Sequence, residues 1–117
     1  MTEPTRIFHN PRCSKSREAL ELLTERGIEP EIIRYLETPP TVQELSDILE
    51  ALGCQPRELM RTGESEYKEL GLNNPDLSRD QLIAAMVTTP KLIERPIVLA
   101  NGKAAVGRPP ENILTII

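Results

Sequence analysis

The sequence predicts an α/β fold in which a strand–helix–strand unit, an inserted helical block and a closing strand–strand–helix unit share one mixed sheet. Three observations carry this expectation. An apolar run at Thr5–His9 is followed by an apolar stripe of helical spacing and then by a second strand-like run. Thr41 with Glu44, and Ser78 with Gln81, have the spacing of helix-starting capping boxes. Near the end, Asn101-Gly102 separates two strand-like runs, the strongest short hairpin signal a sequence offers.

In chain order, the first strand stops at Asn10-Pro11. A helix from Ser14 to Arg26 follows, with Ala19, Leu20, Leu22 and Leu23 on its apolar stripe and Gly27 available for a left-handed stop. Ile32, Ile33 and Tyr35 form the second strand, closed by Thr38-Pro39-Pro40, so the opening segment is a βαβ unit. Residues 41–93 read as the helical block: Val42, Leu45, Ile48, Leu49 and Leu52 up to Gly53, a short helix from Pro56 through Met60, then Leu82, Ile83, Ala85 and Met86 after Ser78. Pro96–Ala100 and Lys103–Val106 make the hairpin, and Pro110–Ile117 is expected to be a helix. This order is that of a thioredoxin-like core with helices inserted between its halves, in a single domain spanning residues 1–117.

A chain of 117 residues buries roughly two-thirds of its unfolded surface, enough for one core. Hydrophobic residues at 38% and charged residues at 27% are ordinary for a globular protein and outside the disordered class. The start, MTEPTRIFHN, has no apolar stretch of signal-peptide length, and no segment approaches the ~20 apolar residues of a membrane span, so a cytoplasmic protein with no membrane partner is expected. The net charge of −4 argues against a nucleic-acid partner, although Arg6, Arg12, Lys15 and Arg17 make the first twenty residues locally basic. Cys13 and Cys54 are too far apart for a C-x-x-C pair, and both are expected to stay reduced.

The segment HNPRCSKSR places Cys13 at the tip of the first helix. A thiol attacks only as thiolate, so a working cysteine needs surroundings that favour the anion. Free N–H groups and the positive end of the helix dipole supply part of this, Arg12, Lys15 and Arg17 add charge, and Ser16 offers a hydroxyl from the next turn. The same array suits an incoming oxyanion. His9, just before the loop with Asn10, reads equally as a strand-end hydrogen bonder or as a catalytic group. A lone cysteine is usually a small buried hydrophobe. That reading suits Cys54, behind an apolar helix, better than Cys13, which lies between Arg12 and Ser14. The C-x5-R spacing of a phosphatase loop is missing, since Ala19 occupies the arginine's place. Ser16 occupies the place of a second C-x-x-C thiol, so the resolving thiol must come from outside the chain. Metal-ligand spacing is also missing, and His9 is the only histidine.

The motifs HNPRCSKSR, YLETPPT, ELMR, YKELGL, ERPIV and GRPPE, in this order from about Thr5 to Ile117, resemble those of the ArsC-type, glutaredoxin-dependent arsenate reductases. NPRCSKSR with GRPP is most similar to the YfgD-like branch; the plasmid resistance enzymes usually read NPxCGTSR, which differs at Ser14 and Lys15. The resemblance implies that Cys13 is the nucleophile and that Arg61, Arg95 and Arg108 bind the oxyanion. Arginine's planar fork suits tetrahedral oxygens. It also places the cis proline of thioredoxin-like folds at Pro96. It further implies arsenate reduction through a covalent thioarsenate on Cys13, glutathione as cosubstrate, glutaredoxin as partner, no bound cofactor or metal, and a monomer. Two other readings stay open: a glutathione-linked thiol oxidoreductase with another substrate, and a Spx-type regulator that binds RNA polymerase. The regulators commonly have the C-x-x-C switch that Ser16 interrupts.

Overall fold

The computed structural model describes residues 4–117, which form two compact units: the chain up to Thr38 joined by Arg95–Ile117, and the intervening Pro39–Glu94. The second unit corresponds to the inserted helical block.

In the first unit the strands β1 (Arg6–Phe8), β2 (Glu31–Ile33), β3 (Ile97–Ala100) and β4 (Lys103–Val106) form one sheet in the order β2-β1-β3-β4. β1 runs parallel to β2 and antiparallel to β3, and β3 is antiparallel to β4, so the sheet is mixed and the fold is thioredoxin-like. The parallel pair needs a crossover, supplied by helix α1 (Ser14–Glu25). Gly27, at φ +75°, ends α1, and Ile28 N–H reaches back to the Leu23 carbonyl at 2.9 Å. Ile7 lies opposite Val98 in the register. Both join Ala19 and Leu23 of α1 and Ile113 and Ile116 of the C-terminal segment in one buried cluster. At the hairpin turn, Asn101 and Gly102 have φ of 54° and 73°, the two positive values of a type I′ turn.

Two expectations in this unit need correction. β2 ends at Ile33, and Tyr35 is buried in the turn that follows. The C-terminal segment is a 3₁₀ helix over Pro110–Thr115 and not an α-helix. Ile113 and Ile116 are three apart, and at three residues per turn both point into the core.

The second unit holds α2 (Val42–Leu52), α3 (Ser65–Glu69) and α4 (Arg79–Thr88). Thr41 Oγ1 accepts from Glu44 N–H while Glu44 Oε1 accepts from Thr41 N–H, both at 3.1 Å, which closes the capping box read in the sequence. Ser78 and Gln81 repeat the device at α4. Leu45, Ile48 and Leu49 of α2 and Leu82, Ile83 and Met86 of α4 are buried, and the two helices pack together. The Pro56 helix is a 3₁₀ turn ending at Leu59. Neither α3 nor the 3₁₀ turn Pro90–Leu92 was expected, and each is only three to five residues long. Met60 and Ile93 form an isolated antiparallel bridge, in which Arg61 N–H donates to the Leu92 carbonyl at 2.8 Å. Among the described residues no helix is long and apolar enough to cross a membrane.

Candidate active site

Cys13 is the N-cap of α1, with extended backbone (φ −94°, ψ 122°) that turns the chain from the β1 loop into the helix. Asn10 builds that loop. Its carbonyl accepts Cys13 N–H at 2.9 Å, its Oδ1 accepts Arg12 N–H at 3.0 Å, and its own N–H donates to Ser16 Oγ at 3.0 Å. Pro11 forms the turn, and Ser14 opens the helix from its exposed side.

The sulfur is nearly enclosed, with Cys13 only 8% exposed. Burial alone would push its thiol pKa up. The net shift is nonetheless downward, because the backbone N–H of Ser16, the Arg95 guanidinium, the backbone N–H of Lys15 and the Arg108 guanidinium all favour the thiolate. Arg108 makes the direct contact: its Nη2 donates toward Cys13 Sγ at 3.7 Å, while its Nε donates to the Arg95 carbonyl at 2.8 Å. Arg95 opens the segment entering β3 and Arg108 follows the end of β4, so pairing of the two strands brings both beside the cysteine. Both Arg95-Pro96 and Arg108-Pro109 are cis.

The loop's own basic side chains serve differently from the sequence expectation. Lys15 acts on the sulfur through its backbone, and its ammonium lies 3.7 Å from Glu18. Arg12 is exposed, and Arg17 reaches back toward the Pro11 carbonyl at 3.5 Å. The positive charges at the thiolate come from the distant Arg95 and Arg108 instead. Ser16 likewise acts through its N–H, because its hydroxyl is engaged with His9 Nδ1 at 2.6 Å and with Asn10 N–H. His9 is buried. Burial first, then the charges of Arg34 and Arg17, hold its pKa below the ordinary 6.5, so the imidazole is neutral at pH 7. Ser16 Oγ thus bridges the Asn10 N–H and the imidazole Nδ1 and ties the ring to the start of the loop.

Arg61 belongs to the helical unit, where its Nη2 pairs with Glu64 Oε1 at 2.7 Å; Lys91 lies 3.5 Å from Glu64 and 3.1 Å from Glu66. Glu64 escaped the sequence reading, although its i+3 spacing from Arg61 is a visible pairing signal. Cys54 is half-buried, and burial followed by the Glu58 charge pushes its thiol up, which favours the protonated form. Among the described residues there is no group of three or more histidine, cysteine or acidic side chains placed to hold a metal.

The description of the ArsC family matches residues 8–116 of the chain. An uncharacterised protein named YfgD from Escherichia coli strain K12 is 58% identical over 118 aligned residues, covering 100% of this chain and 99% of the relative. A protein named arsenate reductase from Neisseria meningitidis is 59% identical over 113 residues, covering 96% of this chain and 97% of its own. Among solved structures, one described as arsenate reductase from Vibrio cholerae superposes with a TM-score of 0.96 at 52% identity, covering 100% of both chains.

Proposed function

Since the chain belongs to the ArsC family, we propose that it reduces arsenate to arsenite, with Cys13 as the nucleophile and glutathione and glutaredoxin as the reductants. The observation that carries the reading is the Arg108 guanidinium 3.7 Å from a cysteine sulfur at a helix N-terminus. A thiolate and a doubly charged oxyanion repel each other, so their reaction needs converging donors that stabilise both before and during attack. Arg95, Arg108 and the N–H groups of Lys15 and Ser16 are such donors. Arg61 enters the reading through its family motif.

In the proposed cycle the Cys13 thiolate attacks arsenic(V), and one arsenate oxygen, taking up a proton, leaves as water; the product is a thioarsenate ester. Glutathione displaces a second oxygen as water, giving an arsenic bonded to both sulfurs. A glutaredoxin thiolate then attacks the glutathione sulfur. The arsenic–glutathione bond breaks, its electron pair reduces arsenic(V) to arsenic(III), and a glutaredoxin–glutathione disulfide forms. Water finally displaces Cys13 and arsenite departs. Ser16 in place of a second thiol agrees with an external resolving thiol.

The test is arsenate-dependent NADPH oxidation in the presence of glutathione, glutaredoxin and glutathione reductase. The native chain should turn over and Cys13→Ser should not. Absence of arsenate dependence, or equal rates for the two proteins, overturns the assignment.

A further inference from the structure

Arg108 reaches the sulfur only because the chain turns sharply just before it. Gly107 N–H donates to the Pro96 carbonyl at 2.9 Å, one step beyond the last β3–β4 pair, and Arg108 N–H then folds back onto the Val106 carbonyl at 2.9 Å. Gly107 is buried at the centre of this turn. Its backbone lies outside the left-handed region, so conformational freedom does not explain a glycine here. Space does. A Cβ at this position would stand 2.7 Å from Pro96 Cγ and 3.4 Å from both Pro96 Cδ and Ala19 Cβ. Carbon atoms pack at about 3.5–4.0 Å, so a methyl group requires the neighbours to part by roughly 1 Å. Neither neighbour is the free end of a flexible chain: Pro96 is a closed ring, and Ala19 is fully buried on α1, the helix that Cys13 caps. Three pieces of the site therefore meet at one hydrogen atom of Gly107: the helix bearing the sulfur, the proline that follows Arg95, and the residue that precedes Arg108.

We propose that Gly107 is a positioning residue: its missing side chain lets the end of the hairpin close on Pro96 and α1, and this closure sets the reach of the Arg108 guanidinium to the Cys13 sulfur. A methyl group at 107 shifts the turn away from Pro96. The shift strains the Arg108 Nε bond to the Arg95 carbonyl and lengthens an Nη2···Sγ contact that is already long at 3.7 Å. The assignment rests on Cys13 being the working thiol, as in the function proposed above, and its test does not require turnover.

In a Cys54→Ser background, which leaves one thiol, iodoacetamide alkylation of Cys13 is followed from pH 5 to 10 for the parent, Gly107→Ala, Arg108→Met and the double variant. Gly107→Ala should slow alkylation about twofold or more on the acid side of the thiol's titration and quicken it at the alkaline end, the same crossing that loss of the guanidinium produces. The double variant should match Arg108→Met alone, because the glycine acts through that arginine. A Gly107→Ala curve that superposes on the parent, even with a lowered melting temperature, overturns the proposal and leaves Gly107 a packing residue only. Additive effects in the double variant overturn it as well. If Gly107→Ala does not fold, Ala19→Val presses on the same contact from the helix side and carries the same two expectations. Arsenate is included as a protecting anion: failure to slow alkylation of the parent would count against the arsenate reading while leaving the Gly107 result intact.

Discussion

Arg108→Met removes a guanidinium whose Nη2 lies 3.7 Å from the sulfur and keeps an unbranched side chain in its place. At 3.7 Å, opposite unit charges attract by about 1 kcal/mol in water and about 4 kcal/mol at an effective dielectric of 20. Arg108 is exposed, and solvent screening sets the value toward the lower end, at about 1–2 kcal/mol. At a pH below the thiol pKa of both proteins, that loss reduces the thiolate population roughly five- to thirtyfold. The surviving thiolate is a stronger nucleophile, since intrinsic reactivity rises with basicity by about half the logarithmic shift, so the measured rate falls only about two- to sixfold. Above both pKa values the sign reverses and the variant alkylates faster. The assay is iodoacetamide alkylation against pH in the Cys54→Ser background, read by mass spectrometry. Curves that coincide, or a variant slower at every pH, would refute an electrostatic role for Arg108 at the sulfur.

His9 and Thr41 give two further tests. The pKa of His9 is depressed in the folded chain, so the stability tied to its neutral form is fully present above the ordinary value of 6.5 and is lost as pH falls through the folded value. The urea midpoint should therefore drop between pH 7 and pH 5, and His9→Asn should flatten that drop; equal pH slopes would contradict the buried neutral imidazole. Thr41→Ala removes the side-chain acceptor at the start of α2 and should cost about 1 kcal/mol by urea unfolding while Cys13 alkylation is unchanged. A loss within error of zero would mean that the capping box contributes nothing to the helix.

What the sequence showed in advance was local. The boxes at Thr41 and Ser78, the stop at Gly53 and the Asn101-Gly102 turn each depend on a few consecutive residues, and each is in the structure. Cys13 was legible for the same reason, because a helix start is a local pattern. The direction of the Ser16 hydroxyl was not, since it depends on where β1 delivers His9 relative to the first turn of α1. Lys15 and Arg17 stand close to Cys13 in sequence, yet α1 carries their charged ends to Glu18 and Pro11. Arg95 and Arg108 acquire their place from strand pairing across the hairpin, a tertiary fact that only the family resemblance had indicated. The 3₁₀ segment after Pro110 and the five-residue α3 are too short for periodicity to separate from other turns.

The hydrogen bond from Arg108 Nε to the Arg95 carbonyl has a thermodynamic consequence for whatever anion the site receives. An arginine tethered at Nε has surrendered much of its rotamer freedom during folding, so that loss does not recur when a guest arrives. The fork is already aimed, with Nη2 on the Cys13 sulfur where the guest would react. Recognition at this corner should then show a smaller ordering penalty in calorimetry than a freely swinging arginine would impose.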